Sequence, residues 1–142
     1  MLSLLRRHQR LIQFGAVGVS GVAVNMAGVW LALLALAGTA TAPGLQDAIA
    51  SAAGIVISIL TNFLLNDLWT WGDRSKSSPW LSRLLRYYAV SAAAGGVQFS
   101  VAVALSALVG LDIYLAQLAG IVLGTGINYV ANNRWTFRSD EK

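Results

Sequence analysis

No charged residue occurs between Arg10 and Asp47, between Asp47 and Asp67, between Arg86 and Asp112, or between Asp112 and Arg134. A helix crosses the hydrocarbon core of a bilayer with about 20 mostly apolar residues, and each of these runs is near that length or beyond it. The chain is 56% hydrophobic and only 11% charged. Soluble domains carry about a quarter charged residues, so this chain lacks the polar surface to enclose a core in water. The pattern predicts an all-α membrane protein with four transmembrane helices at about 12–37, 48–68, 86–109 and 113–133. The first run exceeds a single span, and Gly38 to Gly44 (GTATAPG), with Pro43, reads as the loop that ends it. A signal peptide would share the basic start (Arg6, Arg7, Arg10) followed by apolar residues, but the run outlasts an h-region of about 7–15 residues.

The basic residues set the expected orientation. They fall in the N-terminal segment (Arg6, Arg7, Arg10), the middle connection (Arg74, Lys76, Arg83, Arg86) and the C-terminal segment (Arg134, Arg138, Lys142). The other two connections carry Asp47 and Asp112 alone. Basic loops stay on the cytoplasmic side, which places both termini and the middle connection there. The net charge of +4 is then largely a topology signal that also suits anionic headgroups. No basic soluble segment is left to bind nucleic acid.

When the chain is slid so that Asn62 falls on Asn128, AxxAGIV at Ala50–Val56 meets AxxAGIV at Ala116–Val122. Asn66 then meets Asn132, Trp69-Thr70 meets Trp135-Thr136, and Trp71 meets Phe137. The front halves match more weakly, with Phe14 on Tyr87, Ala16-Val17 on Ala89-Val90 and Asn25 on Gln98. Asn and Trp are uncommon in membrane helices, so the shared NxxxNxxWT is the informative part. The expected architecture is two tandem helical hairpins, about 11–71 and 84–137, within one transmembrane domain over 1–142. With two spans each they would share an orientation, as a parallel repeat with a pseudo-two-fold axis along the membrane normal.

Asn62 and Asn66 lie one helical turn apart, as do Asn128 and Asn132, so each pair shares a helix face. With Trp69 and Trp135 at the interface, the amides lie roughly 5–10 Å inside it. Amides at that depth need hydrogen bonds, either to neighbouring helices or to a ligand in a wet cavity. Arg86 opens the third helix beside Tyr87 and Tyr88 and suits bidentate binding of phosphate. Arg83, Asn133 and Arg134 lie on the same membrane side. Arg83 and Arg134 fit either phosphate binding or simple anchoring by snorkelling. Arg74 and Lys76 read as solvated loop charges, and His8 as a surface group. SSPWLSRLLR predicts an interfacial helix with Ser78 as its N-cap and Pro79 in its first position. Trp80, Leu81, Leu84 and Leu85 would then face lipid, and Arg83 water. Asn25 and Gln98 are deeper, and fit either a polar translocation path or glue between helices. Gly15, Gly18, Gly21 and the Gly120/Gly124 pair predict close helix contacts.

The sequence resembles the GtrA-like family of small four-helix membrane proteins over about Leu11 to Phe137. The resemblance rests on FGAVGVSGVAVN (Phe14–Asn25), NFLLNDLWTW (Asn62–Trp71), LLRYYAV (Leu84–Val90) and NYVANNRWTF (Asn128–Phe137). It implies a multi-pass protein of the cell inner (plasma) membrane, acting in cell-surface polysaccharide and lipid-linked sugar pathways. The role it implies is moving a polyprenyl-phosphate-linked sugar across the bilayer; related helices are also fused to polyprenyl-phosphate mannose synthases. Two departures stand out. Asp67 sits where the family often has a basic residue, which Asn133-Arg134 partly keeps, and Gln13 stands where Arg86 stands in the second half. The first half is therefore expected to bind an anion less well.

No catalytic or metal site is expected and no cofactor is implied. The spans read as free of carboxylate, histidine, cysteine and lysine, and no nucleotide loop or HExxH occurs. That pattern also disfavours a proton-coupled exporter, which needs a titratable group in the membrane. Two roles stay open: a passive flippase of lipid-linked sugar, or a noncatalytic subunit that recruits a glycosyltransferase and presents its lipid substrate. In either case the headgroup contacts would come from Arg86, Asn62, Asn66, Asn128, Asn132, Asn133, Arg134, Arg83, Trp69, Trp135 and Tyr87. The path would run past Asn25 and Gln98. Four helices enclose little interior, so a homodimer or higher homo-oligomer is expected.

Overall fold

The computed structural model describes residues 2–74 and 78–138, with the backbone alone for 2–7 and 43. Lys76 and Lys142, two of the cations used above to assign orientation, lie outside those residues. Four α-helices occur in order: α1 (Leu2–Leu36), α2 (Pro43–Leu65), α3 (Trp80–Val109) and α4 (Ile113–Ala131). Both α2 and α4 run without a break into a π-helical turn, at Asn66–Thr70 and Asn132–Thr136 respectively. Four helical segments are long and apolar enough to cross a membrane: His8–Leu36, Gly44–Thr70, Trp80–Val109 and Ile113–Thr136. The shortest has 24 residues, about 36 Å at 1.5 Å per residue, against a hydrocarbon core of about 30 Å. The chain is an all-α membrane protein, and no strand occurs among the described residues.

The chain divides into two compact units, Met1–Asp73 and Arg74–Lys142. In the N-terminal unit α1 packs along α2, and in the C-terminal unit α3 packs along α4. Each hairpin buries only a narrow seam: Phe14, Val17, Ala50, Phe63 and Trp71 in one, and Tyr87, Val90, Ala94, Ala116 and Phe137 in the other. Large apolar residues such as Val19, Trp30, Phe99 and Leu108 point outward. An apolar exterior over a thin seam is what a bilayer permits, because lipid tails exert no hydrophobic pressure between helices.

Small residues bring the helices together. Gly28 faces Gly54, and a Cβ on Gly54 would lie 2.6 Å from Asn25 Oδ1 and 2.7 Å from the Asn25 carbonyl. A Cβ on Gly120 would lie 2.5 Å from the Gln98 carbonyl. Gly21 is similarly filled by Asn62, whereas Gly15 and Gly18 face open space, so only part of the expected glycine stripe makes contact.

The helix ends differ from expectation in physically clear ways. Pro43 opens α2, because a first-turn residue needs no amide hydrogen. The loop before it is held by Gln46, whose side-chain amide donates to the Thr41 carbonyl at 3.0 Å. Gly110, at φ 72°, ends α3 in the left-handed conformation that glycine adopts freely. Asp112 caps α4, its side chain accepting from the amides of Tyr114 and Leu115 at 3.0 and 3.3 Å. The separate interfacial helix does not form. Pro79 is the N-cap, no side chain caps the end, and Trp80 begins α3 itself.

Candidate functional site

The repeated NxxWT phrase is a π turn in both copies. The carbonyl of Asn66 accepts from the amide of Trp71 at 2.9 Å, and that of Asn132 accepts from Phe137, also at 2.9 Å. Widening the last turn in this way drives Trp71 and Phe137 inward. Trp71 meets Phe14 edge-on with centroids 5.8 Å apart and 65° between planes. Phe137 meets Tyr87 at 6.1 Å and 61°. Trp69 and Trp135 stay outside, each about half exposed. Single π turns inside helices are rare and occur often at functional sites.

The second asparagine of each pair is sealed in: Asn66 is 1% exposed and Asn132 0%. Thr70 Oγ1 donates to Asn66 Oδ1 at 2.8 Å. In the other turn the amide of Asn132 donates to Asn128, at 2.6 Å to Oδ1 and 3.0 Å to the carbonyl. Asn132 Oδ1 and Thr136 Oγ1 are left buried without a partner. These two amides therefore support the turns from within. Asn62 and Asn128 are half-buried, and Asn62 Oδ1 is another buried oxygen with no partner. Tyr87 is buried beside Phe137.

At the π-turn end of the C-terminal unit, Arg86 and Trp135 come together. The guanidinium sits 5.6 Å from the centre of the Trp135 ring, and Nη1 makes a long 3.4 Å contact with the Trp135 carbonyl. A cation–π contact of this kind orients the guanidinium while leaving its charge available. Arg134 is exposed. It closes one end of an apolar groove of about 500 Å³ on α4, lined by Val122, Gly126, Ile127 and Val130 among others. Arg83 does not face water. It is buried and donates to the Ser78 carbonyl at 2.5 Å, because it lies in the first turn of the continuous helix α3 rather than on the surface of a separate one.

Arg74 is not a solvated loop charge. Its Nη1 donates to the carbonyls of Asn133 and Phe137 at 2.8 and 2.6 Å, and its Nη2 to Asn133 Oδ1 at 2.7 Å. It thereby satisfies carbonyls that the end of α4 leaves open, and it engages Asn133. The reading that no span holds a carboxylate also fails, since Asp67 lies in the Gly44–Thr70 span and is 4% exposed. The π turn rotates it inward.

The corresponding end of the N-terminal unit is a polar cleft of about 180 Å³, lined by Gln9, Arg10, Gln13, Trp69, Thr70 and Asp73. Arg10 Nη2 donates to Asp73 Oδ2 at 2.6 Å. Of this set the sequence singled out only Trp69 as a contact. Gln9 and Gln13, one turn apart on α1, were a legible signal. Deeper in the chain, Asn25 Oδ1 is buried against Gly54 without a hydrogen bond. Gln98 instead lines a cleft of about 190 Å³ with Gly95, Phe99, Ala102 and Gln117. Among the described residues no three metal-ligating side chains cluster.

Known proteins place the chain in a family. The profile of the family described as GtrA/DPMS, transmembrane domain, matches residues 13–137. A dolichol-phosphate mannosyltransferase of Pyrococcus furiosus is 34% identical over 128 residues, which cover 90% of this chain and 34% of that protein. The chain thus spans about a third of the length of the curated relative it matches.

Proposed function

The chain belongs to the GtrA/DPMS transmembrane-domain family, and on that footing we propose that it moves a polyprenyl-phosphate-linked sugar across the membrane without catalysing its chemistry. The observation that carries this reading is Arg86 stacked on the half-exposed Trp135. No carboxylate neutralises Arg86 among the described residues. An oriented guanidinium at a helix end beside an interfacial indole has the chemistry to take a lipid phosphate. Arg134, at the mouth of an apolar groove, is a second cation placed next to a surface that suits an isoprenoid tail. Asn128 and Asn132 act mainly through the π turn that carries Arg134 and Trp135, and Asn66 through the matching turn of the N-terminal unit, where Asn62 packs against Gly21. Asn133 and Arg74 brace the same end.

In this reading the π-turn ends face the cytoplasm of a cell whose inner membrane carries the protein, because the described cations Arg10, Arg74, Arg83, Arg86, Arg134 and Arg138 belong to segments near those ends. The headgroup then passes Gln98, driven by consumption of the lipid on the far side. The matching aromatic pairs and π turns support descent of the two units from one hairpin. The narrow seams support assembly as a homo-oligomer.

One observation favours a second reading. The matched relative is more than twice as long and is named as a dolichol-phosphate mannosyltransferase, so a stretch similar to this chain occurs as about a third of a protein with that name. Presenting the lipid to a separate glycosyltransferase would use the same headgroup contacts.

Reconstitution separates the two. Purified protein is placed in liposomes with a labelled polyprenyl-phosphate sugar, and its accessibility from outside is followed in time. Crossing well above protein-free vesicles, and lost in Arg86→Ala, is expected of a facilitator. Tight binding without faster crossing rejects the facilitator in favour of presentation.

A further inference from the structure

The two π-turn ends differ in charge in a way that assigns them different ligands. In the C-terminal unit Arg86 stands over Trp135 with no ion-pair partner among the described residues. In the N-terminal unit the residue matching Arg86 is Gln13, and the cation of the cleft, Arg10, is held by Asp73 at 2.6 Å. The side chain of Asp73 is 52% exposed and that of Arg10 only 18%. An approaching anion would meet the carboxylate before the guanidinium, and like charges repel.

We propose that the cleft lined by Gln9, Gln13, Trp69 and Asp73 is a subsite for a neutral sugar ring, not for phosphate. A sugar hydroxyl both donates and accepts, so its site needs both functions at close spacing. Gln9 and Gln13 each present two N–H donors and a carbonyl acceptor, one turn apart on α1, and the Asp73 carboxylate accepts. Neither glutamine side chain has a hydrogen-bond partner among the described residues. Trp69 adds a flat apolar face, 53% exposed, against which the C–H face of a ring can lie while hydroxyls turn to the amides. The cleft of about 180 Å³ has room for roughly six waters at about 30 Å³ each. It is smaller than the ~300 Å³ at which drug-sized sites begin, so it fits one ring. The inference deepens the function proposed above and rests on it for the source of the sugar, but the cleft chemistry does not depend on the lipid.

The test uses the full chain in nanodiscs, with nitrogen-15 signals from the side-chain amides of Gln9 and Gln13 and the indole N–H of Trp69. The probes are methyl α-D-glucopyranoside, methyl α-D-mannopyranoside, methyl α-D-galactopyranoside and, separately, inorganic phosphate. At least one glycoside is expected to move all three sets of signals saturably, in the millimolar range, while phosphate leaves them in place. Gln13→Leu and Asp73→Asn, with unchanged helical circular dichroism, should each weaken glycoside binding several-fold. Movement with phosphate but not with glycosides makes this an anion site and overturns the proposal, as does a lack of movement with every probe. Glycoside binding without lipid crossing in liposomes refutes the flippase reading and keeps the subsite; crossing without glycoside binding does the reverse.

Discussion

Arg74 grips Asn133 twice, with Nη2 donating to the side-chain oxygen at 2.7 Å and Nη1 to the carbonyl at 2.8 Å. A third bond, to the Phe137 carbonyl, ties down the residue that closes the second π turn. These are charge-assisted bonds in a partly buried place, and they satisfy carbonyls the helix cannot satisfy itself.

Arg74→Ala is therefore expected to destabilise the C-terminal unit by about 2 kcal/mol and to speed amide hydrogen exchange at 132–137. Arg74→Lys should recover only part of this, since an ammonium lacks the planar fork. Exchange rates at 132–137 that match the parent chain would show that the grip does not form in the membrane.

The two π turns differ in one testable detail. Thr70 Oγ1 bonds Asn66 Oδ1, while Thr136 Oγ1 and Asn132 Oδ1 have no partner. Thr70→Val should cost about 1 kcal/mol, the net worth of a buried hydrogen bond. Thr136→Val should cost clearly less. Equal losses in thermal or denaturant melts would mean that Thr136 also bonds Asn132 in the bilayer.

Glycine substitutions probe the hairpin seams. Gly54→Ala and Gly120→Ala place a methyl about 2.6 and 2.5 Å from backbone or amide oxygen, and rigid helix backbone must move to admit it. A loss of about 1–3 kcal/mol is expected at each. Gly126→Ala, which meets nothing within 4 Å, should be neutral or mildly stabilising. A Gly126→Ala loss as large as the other two would indicate that something covers Gly126 in the membrane.

What the sequence displayed of this structure, and what it concealed, follows from range. The four helices were legible because a bilayer enforces charge-free runs, and the loop from Gly38 because glycine and proline punctuate the end of the first run. The shared NxxWT phrase marked both helix ends as special. It could not announce a π turn, because an i→i+5 bond leaves no periodic trace, and the turn is what buries Asp67 and exposes Trp69. Arg74 was misjudged for a different reason. Its neighbours in sequence are polar and small, and its partners, the carbonyls of Asn133 and Phe137, lie on a distant stretch and have no side-chain signature. Arg83 was misplaced because Pro79 was put inside a short helix when it caps a long one. The glutamines of the N-terminal cleft were visible as an i, i+4 pair, but the aromatic next to them in sequence, Phe14, is buried against Trp71; the fold supplies Trp69.

Charge alone does not describe the site at Arg86. Arg86→Lys keeps the charge but loses the guanidinium placed over the Trp135 ring. Its affinity for a polyprenyl phosphate should fall several-fold, and that of Arg86→Gln tenfold or more, where tenfold is about 1.4 kcal/mol. Equal affinity in the lysine variant and the parent chain would reduce the role of Trp135 to membrane anchoring.

Asn25 and Gln98 occupy matching positions in sequence but different surroundings in the structure, and this separates their expected roles. Gln98 lies twelve residues beyond Arg86, about 18 Å along α3, and opens into a cleft it shares with Gln117. A headgroup leaving the interface needs hydrogen-bond partners at such a depth, since unsatisfied polar groups in hydrocarbon cost several kcal/mol. Asn25 is turned against Gly54, and its side-chain oxygen is already buried and unpaired. Replacing it with Leu removes an orphaned acceptor and no exposed one. The double substitution Gln98→Leu with Gln117→Leu is therefore expected to slow headgroup crossing in liposomes several-fold while headgroup binding persists. Asn25→Leu should leave crossing unchanged, at a cost in stability because the larger side chain overpacks the seam beside Gly54. If Asn25→Leu slows crossing as much as the glutamine pair, the path runs through the α1–α2 seam, and the cleft on α3 and α4 is only a surface feature.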